Sequence, residues 1–241
     1  MRNMRIEVLE DANAVAGKAA ALIAAEARQS AAARGRFIMA VSGGHTPWIM
    51  LRALAGEEVP WAKMHIFQVD ERVAPEGHSD RNLTHLRESL LEHAPLPTEQ
   101  LYAMPVELTD LNIAASKYAA ELMRVAGSPP VLDLVHLGLG PDGHTASLVP
   151  GDPVLDVTDR DVAVTGVYQG RNRLTLTYPV INRARLILWL VTGGEKVPMF
   201  KRLQAADHSI PAGRVLQNSA VLLADIGAAG EPTGEGQREI A

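Results

Sequence analysis

Apolar and polar residues follow one another along the chain in two rhythms, and their order predicts a layered α/β architecture. A short alternating strand is expected over 4–9. A long helix follows over 11–34, where alanine and other strong helix formers run from Asp11 to a stop at Gly35. Phe37–Val41 is an apolar run of strand length that ends at Ser42-Gly43-Gly44-His45-Thr46-Pro47, and helical spacing resumes over 48–54. The same strand, loop and helix grammar recurs, with strands over 65–69 and 132–137 and helices over 82–92 and 108–125. Later strands are predicted over 161–167, 173–177, 185–191 and 220–224, with a helix over 195–206 after Gly193 and Gly194. Short apolar strands alternating with helices imply a mostly parallel, Rossmann-like sheet covered by helices on both faces. No repeat, linker or low-complexity block divides the chain, so a single α/β domain is expected over 1–226. The stretch 227–241 is rich in Gly and Glu and reads as a frayed tail.

Composition narrows the function classes. The 241 residues are 47% hydrophobic and 21% charged, as in an ordinary globular protein with an ample core. A formal net charge of -5, with no run of like charges, argues against nucleic acid or an anionic membrane as a partner, so any anion must be caught locally. The chain has no cysteine, which excludes disulfides, thiolate chemistry and cysteine-ligated zinc and fits a reducing compartment. The N-terminus carries no signal-like apolar stretch, and the longest apolar run, around 186–192, is too short to span a bilayer. A cytoplasmic protein is expected, as a monomer or small homo-oligomer.

Ligands of open parallel sheets bind beyond the carboxyl ends of the strands, and the polar clusters of this chain fall at such ends. Ser42, Gly43 and Gly44 allow close backbone approach, Thr46 adds a hydroxyl, and Pro47 suits a first helical position whose free N–H groups favour an anion. The loop reads either as a phosphate cradle or as an ordinary turn in which Thr46 caps a helix. It is neither a Walker loop nor a dinucleotide fingerprint. Asp70, Glu71 and Arg72 follow an apolar strand. Arg72 can offer its planar fork to phosphate or carboxylate, or the trio can form a solvated turn. Ser79 or Asp80 is expected to cap the helix that follows.

The third cluster is the sharpest. Gly138, Gly140 and Gly143 make a tight turn that sets Asp142 two residues before His144. Histidine titrates near neutrality, and a nearby carboxylate can orient its ring and raise its basicity. With no cysteine and no Gly-x-Ser-x-Gly elbow, the economical scheme is a water activated by His144. The alternative is that His144 merely starts a helix. No metal site is expected, because His-x-x-x-His spacing with a carboxylate is absent. Arg171, Arg173 and Lys196 add cations near strand or helix starts, and a bound anion would give Lys196 a reason to sit at a helix N-terminus. Surface placement is the plainer reading of that lysine.

Together, Val41-Ser42-Gly43-Gly44-x-Thr46-Pro47, Asp70-Glu71-Arg72-x-x-Pro75, Gly138-x-Gly140-x-Asp142-Gly143-His144-Thr145-Ala146-Ser147-Leu148-x-Pro150, Arg173-Leu174-Thr175-Leu176-Thr177 and Val191-Thr192-Gly193-x-Glu195-Lys196 resemble the 6-phosphogluconolactonases. The likeness spans about residues 1–226, in order. A related family, the glucosamine-6-phosphate deaminases, shares the first loop and the Asp-Gly-His segment. It carries a glutamate that assists ring opening where this chain has Val149, and a tyrosine where this chain has Arg72. The resemblance implies opening of a phosphorylated sugar lactone in the oxidative pentose-phosphate route, without a cofactor. It implies His144 as the base and Asp142 as its tuning partner. The loop of Ser42, Gly43, Gly44 and Thr46, with Arg173 and Lys196, would hold the phosphate, and Arg72 would face the phosphate or the developing carboxylate. The rivals are a deaminase on the same scaffold and a sugar-phosphate-binding regulator without catalysis. No helix-turn-helix or basic patch supports the second.

Overall fold

The computed structural model describes residues 4–230. Its strands assemble into two sheets rather than one. The larger has the order β1 (Arg5–Leu9), β10 (Ala220–Asp225), β9 (Leu186–Val191), β6 (Leu134–Gly138), β2 (Phe37–Val41), β3 (Met64–Gln68) and β5 (Leu101–Tyr102), and every adjacent pair is parallel. The period-two alternation along β2 splits its side chains between two cores. Phe37, Met39 and Val41 join α1 (Ala12–Arg34) and α2 (His45–Leu54) on one face. Ile38 and Ala40 join α4 (Leu111–Ala126) and α6 (Val197–Gln204) on the other. Helices therefore cover both faces, as the sequence predicts.

Local chemistry explains the element ends. The Asp11 carboxylate accepts from the Ala14 N–H at 2.8 Å to start α1, and Gly35, at φ 77°, closes it in a left-handed conformation few other residues adopt cheaply. The buried stripe of α1 includes Ala16, Ala19, Ala20, Ala24 and Ala27. Such small side chains let the helix lie close to its neighbours.

The smaller sheet is antiparallel, with β4 (Asp70–Arg72), β8 (Arg173–Leu176) and β7 (Val162–Val164) in that order. β7 and β8 fall within strands the sequence predicts, whereas Asp70–Arg72, for which the sequence leaves open a ligand-facing arginine or a solvated turn, form a strand of their own. Val69 alone joins β3 to β4. Its N–H donates to Val41 O at 2.9 Å and its carbonyl accepts from Leu176 N at 2.8 Å, so this one-residue joint is bonded to both sheets. Pairing of β4 with β8 places Arg72 opposite Arg173.

Other differences are local. The helix expected over 82–92 divides into α3 (Asn82–Leu86) and a wider π turn, Arg87–Leu91. Neither Ser79 nor Asp80 caps it. The buried carboxylate of Glu71 instead accepts from Asn82 N and Leu83 N at 2.8 Å each, and Arg81 faces it at 3.2 Å. Pro47 is the third residue of α2 rather than the first, still within the turn whose N–H groups need no partner inside the helix. The stretch 177–182 turns from strand into α5 (Tyr178–Asn182), where Pro179 occupies the first turn. Past residue 226 the chain is still ordered, because α7 covers Ile226–Ala229. Residues 231–241 of the expected tail lie outside the described residues.

Candidate active site

Every sequence-predicted cluster reaches one cleft at the carboxyl ends of β2, β6 and β9 and along the edge of the small sheet. A cavity of about 270 Å³ is lined by Ser42, Gly43, Gly44, Arg72, His144, Arg173 and Lys196, together with Asp70, Asn82, Ala146 and Gln169. A second cavity of about 430 Å³ continues from it past Thr46, Thr192 and Gly193, sharing Gly43, Gly44 and Lys196. Of the nine residues to which the resemblance gives a role, only Asp142 lines neither cavity. It stands behind His144.

That pair has the geometry of a carboxylate-supported base. The Nδ1 atom of His144 lies 2.5 Å from Asp142 Oδ1, which also accepts from the His144 backbone N–H at 3.1 Å. Partial burial by itself would raise the Asp142 carboxyl, but the His144 ring, these hydrogen bonds and the Tyr168 hydroxyl hold it below the ordinary carboxylate value. An ionised carboxylate only accepts, so the hydrogen between the two sits on Nδ1, and Nε2 is the ring nitrogen free to exchange a proton with the cavity. The ring is 20% exposed and reaches the cavity. Gly140 is required beneath it, since a Cβ there would lie 2.1 Å from Nδ1. His144 does not start a helix; it belongs to a turn closed by Gly140 N donating to His144 O at 2.8 Å.

Opposite the base stands a cationic wall. Arg173 is only 4% exposed and among the described residues has no carboxylate as a hydrogen-bond partner, its side chain donating to Gln169 Oε1 at 3.2 Å and Ser147 Oγ at 3.5 Å. Its Nε and that of Arg72 are buried and unpartnered. Burial, then the proximity of Arg72, depresses the pKa of Arg173. Two incompletely paired guanidinium groups side by side favour an anion between them. Arg171 is bound instead to Asp80, at 2.6 Å, and to Val73 O, at 3.2 Å. Among the described residues the Nζ of Lys196 pairs only with the exposed Glu195, at 3.7 Å, and its side chain lines both cavities.

The glycine loop is held from below. Ser42 N donates to His136 Nδ1 at 3.2 Å, and Ser42 Oγ donates to His136 O at 3.0 Å. The Ser42 hydroxyl thus spends its proton on β6 and fixes the loop to the strand that leads to the base. Burial holds the His136 pKa down to about 3, so this ring stays neutral. Thr46 Oγ1 meets Thr192 Oγ1 at 2.6 Å. Gly43 has no room for a side chain, because a Cβ would lie 1.9 Å from Asn82 Oδ1.

Several pocket residues escaped the sequence reading. Gln169 and Ala146 line the cavity at φ 51° and 52°, a strained region for non-glycine residues. Tyr168 donates to Asp142 Oδ2 at 3.1 Å. Asp70 accepts from Ser147 Oγ at 2.6 Å on the cavity floor. The one local signal was Gly170 between two expected strands, a hairpin cue that would have brought Tyr168 and Gln169 toward Arg173. Among the described residues no group of three or more His, Asp or Glu converges to hold a metal ion, and no helix is long and apolar enough to cross a membrane.

Fold and pocket together define an α/β protein with an Asp142–His144 pair beside a cavity lined by Arg72, Arg173 and Lys196. Comparison with known proteins sharpens this: residues 10–223 match the family described as glucosamine-6-phosphate isomerases/6-phosphogluconolactonase, and the chain belongs to that family. A 6-phosphogluconolactonase of Nostoc sp. is 36% identical over 90% of this chain and 93% of its own. The structure of 6-phosphogluconolactonase from Trypanosoma brucei superposes with a TM-score of 0.84, at 26% identity, covering 95% of this chain and 98% of that one. A monomeric glucosamine-6-phosphate deaminase also superposes, with a TM-score of 0.82 over 94% of this chain and 99% of that one. At 16% identity it shares the fold alone.

Proposed function

We propose that this protein hydrolyses 6-phospho-D-glucono-1,5-lactone to 6-phospho-D-gluconate, the step that opens the lactone in the oxidative pentose-phosphate route. The observation that carries this reading is the Asp142–His144 pair, 2.5 Å apart, set against Arg72, Arg173 and Lys196 around one cavity. Nε2 of His144 takes a proton from water as the water oxygen attacks the lactone carbonyl. The tetrahedral oxyanion collapses, the bond to the ring oxygen breaks, and that oxygen receives the proton from His144. The acid formed ionises, leaving a carboxylate and a free hydroxyl. Asp142 orients the ring and stabilises its cationic form between the two transfers.

The phosphate is assigned to the loop of Ser42, Gly43, Gly44 and Thr46 with Arg173 and Lys196, and Arg72 to the phosphate or the developing carboxylate. Lactones are reactive, so positioning, one base and electrostatic support are sufficient, and the scheme uses no cofactor. Val149 is buried and apolar, so it supplies no acid where the deaminases carry their glutamate, which speaks against deamination. The sugar phosphate is the partner we assign, with neither nucleic acid nor membrane. We assign a single domain over 1–226, a monomer or small homo-oligomer, and the cytoplasm, in keeping with the cysteine-free composition.

The test is a lactonase assay on freshly generated substrate, in a chelator and corrected for spontaneous opening. Wild-type protein is expected to accelerate the reaction. His144→Ala should remove most turnover yet retain 6-phosphogluconate binding, whereas Arg173→Ala and Lys196→Ala should mainly weaken binding. Full turnover in His144→Ala overturns the assigned base.

A further inference from the structure

Tyr168 stands where the base pair and the cationic wall meet. It lies at one end of a two-residue turn in which Tyr168 N donates to Arg171 O at 3.0 Å and Arg171 N to Tyr168 O at 3.3 Å. The central residues Gln169 and Gly170 both have positive φ, 51° and 78°, as in the hairpin turns whose twist matches that of the flanking strands. Arg171 fastens the turn to Asp80 and to Val73 O. The side chain of Tyr168 is therefore presented on a fixed backbone.

Each of its faces has an occupant. The hydroxyl donates to Asp142 Oδ2 at 3.1 Å, the oxygen left over when Oδ1 binds His144. The ring meets that of His144 edge to face, with centroids 5.5 Å apart at 67°. Its other contact is the Arg173 guanidinium, 4.9 Å from the ring centroid. We propose that Tyr168 is a positioning residue for the Asp142–His144 pair: its hydroxyl fixes the rotation of the Asp142 carboxylate, and its ring spaces the base from Arg173. The inference rests on the lactonase reading for its kinetic consequence. Burial first, and then Asp142, raises the phenol above its ordinary pKa, so it remains a donor at neutral pH. The charged and titratable groups around the base are Asp142 on its own turn, Tyr168 and Arg173 from the hairpin side, Asp70 on the cavity floor, and Arg72 and Lys196 across the cavity.

Tyr168→Phe keeps the ring and removes the hydroxyl. Without that donor Asp142 has only His144 to hold it, and its more concentrated charge favours the protonated ring. We expect kcat to fall about tenfold with KM within about twofold, and the acid limb of the kcat profile to move to higher pH. A double-mutant cycle separates this role from a merely structural one. In an Asp142→Asn background, Tyr168→Phe should have no further effect on kcat. Unchanged kcat in the single variant, or an effect of full size in the Asp142→Asn background, overturns the proposal. The imidazole ¹⁵N spectrum of His144 gives a readout that needs no turnover, and Tyr168→Phe should alter its titration. An unaltered titration overturns the proposal even if the wild-type protein proves inert toward the lactone, an outcome that would sink the lactonase reading separately.

Discussion

Gly140→Ala is the sharpest single perturbation of the site, because it adds one methyl group where the structure leaves none. The new Cβ would lie 2.1 Å from His144 Nδ1 and 2.2 Å from Cε1, whereas ordinary contact begins near 3.4 Å. The φ of Gly140 is not positive, so alanine meets no backbone penalty there and the strain falls on the ring. To escape, the imidazole must move by more than an ångström. Nδ1 is the atom held by Asp142, so that displacement breaks the 2.5 Å bond and swings Nε2 away from the position the proposed water attack requires. A misplacement of this size costs about 10²-fold in rate, or roughly 2.7 kcal/mol of barrier. The cationic wall and the glycine loop are untouched, so 6-phosphogluconate affinity should stay within about threefold, since uniform binding is preserved. The assay is steady-state lactonase turnover beside calorimetric titration with the product, with a melting curve to confirm folding. A folded Gly140→Ala protein with wild-type kcat would show that the ring position is not what this geometry requires.

Other changes reach different parts of the molecule. Gly43→Ala places a Cβ 1.9 Å from Asn82 Oδ1, so it should displace the loop from α3 and raise KM more than it lowers kcat. Glu71→Gln leaves Arg81 without its buried countercharge and weakens the cap of α3. Chemical denaturation should show a loss of about 3 kcal/mol, and a change under about 0.5 kcal/mol would refute the cap. His136 makes a pH prediction. Its folded pKa of about 3 lies below the ordinary 6.5, so the unfolded chain binds its proton first. The stability it contributes is complete above about 6.5 and falls as pH drops toward 3, by about 1.4 kcal/mol per unit. Denaturation midpoints at pH 7 and pH 5 should converge in His136→Phe relative to wild type, and an equally steep fall in that variant would refute the assignment.

Legibility from sequence followed hydrophobicity. β2 and β9 are continuous apolar runs and β6 is interrupted only by His136 before its closing glycine, and the glycine turns at their ends announced the loop of Gly43 and the turn of His144. β4 carried no such signal. Its three residues are charged, and much of what satisfies them is distant in the chain: Asn82 and Ser147 for Asp70, and for Glu71 the first N–H groups of α3 in addition to nearby Gln68 and Arg72. A residue eleven positions ahead of a helix cannot be recognised as its cap by local pattern. The same blindness hid Tyr168, whose importance lies in Asp142, twenty-six residues earlier. The sequence assigns no element between 177 and 185, where Pro179 sits in the first turn of the short helix α5.

The one-residue joint at Val69 has a thermodynamic consequence. Arg72 and Arg173 belong to the small sheet, while Gly43, Gly44 and Lys196 belong to the loops of the large one, so a ligand that fills the cavity bridges two separately hydrogen-bonded units. Binding energy therefore opposes any local opening that would part them. Saturating 6-phosphogluconate should slow amide exchange across Val69, β4 and β8 together, residues that include several the ligand never touches.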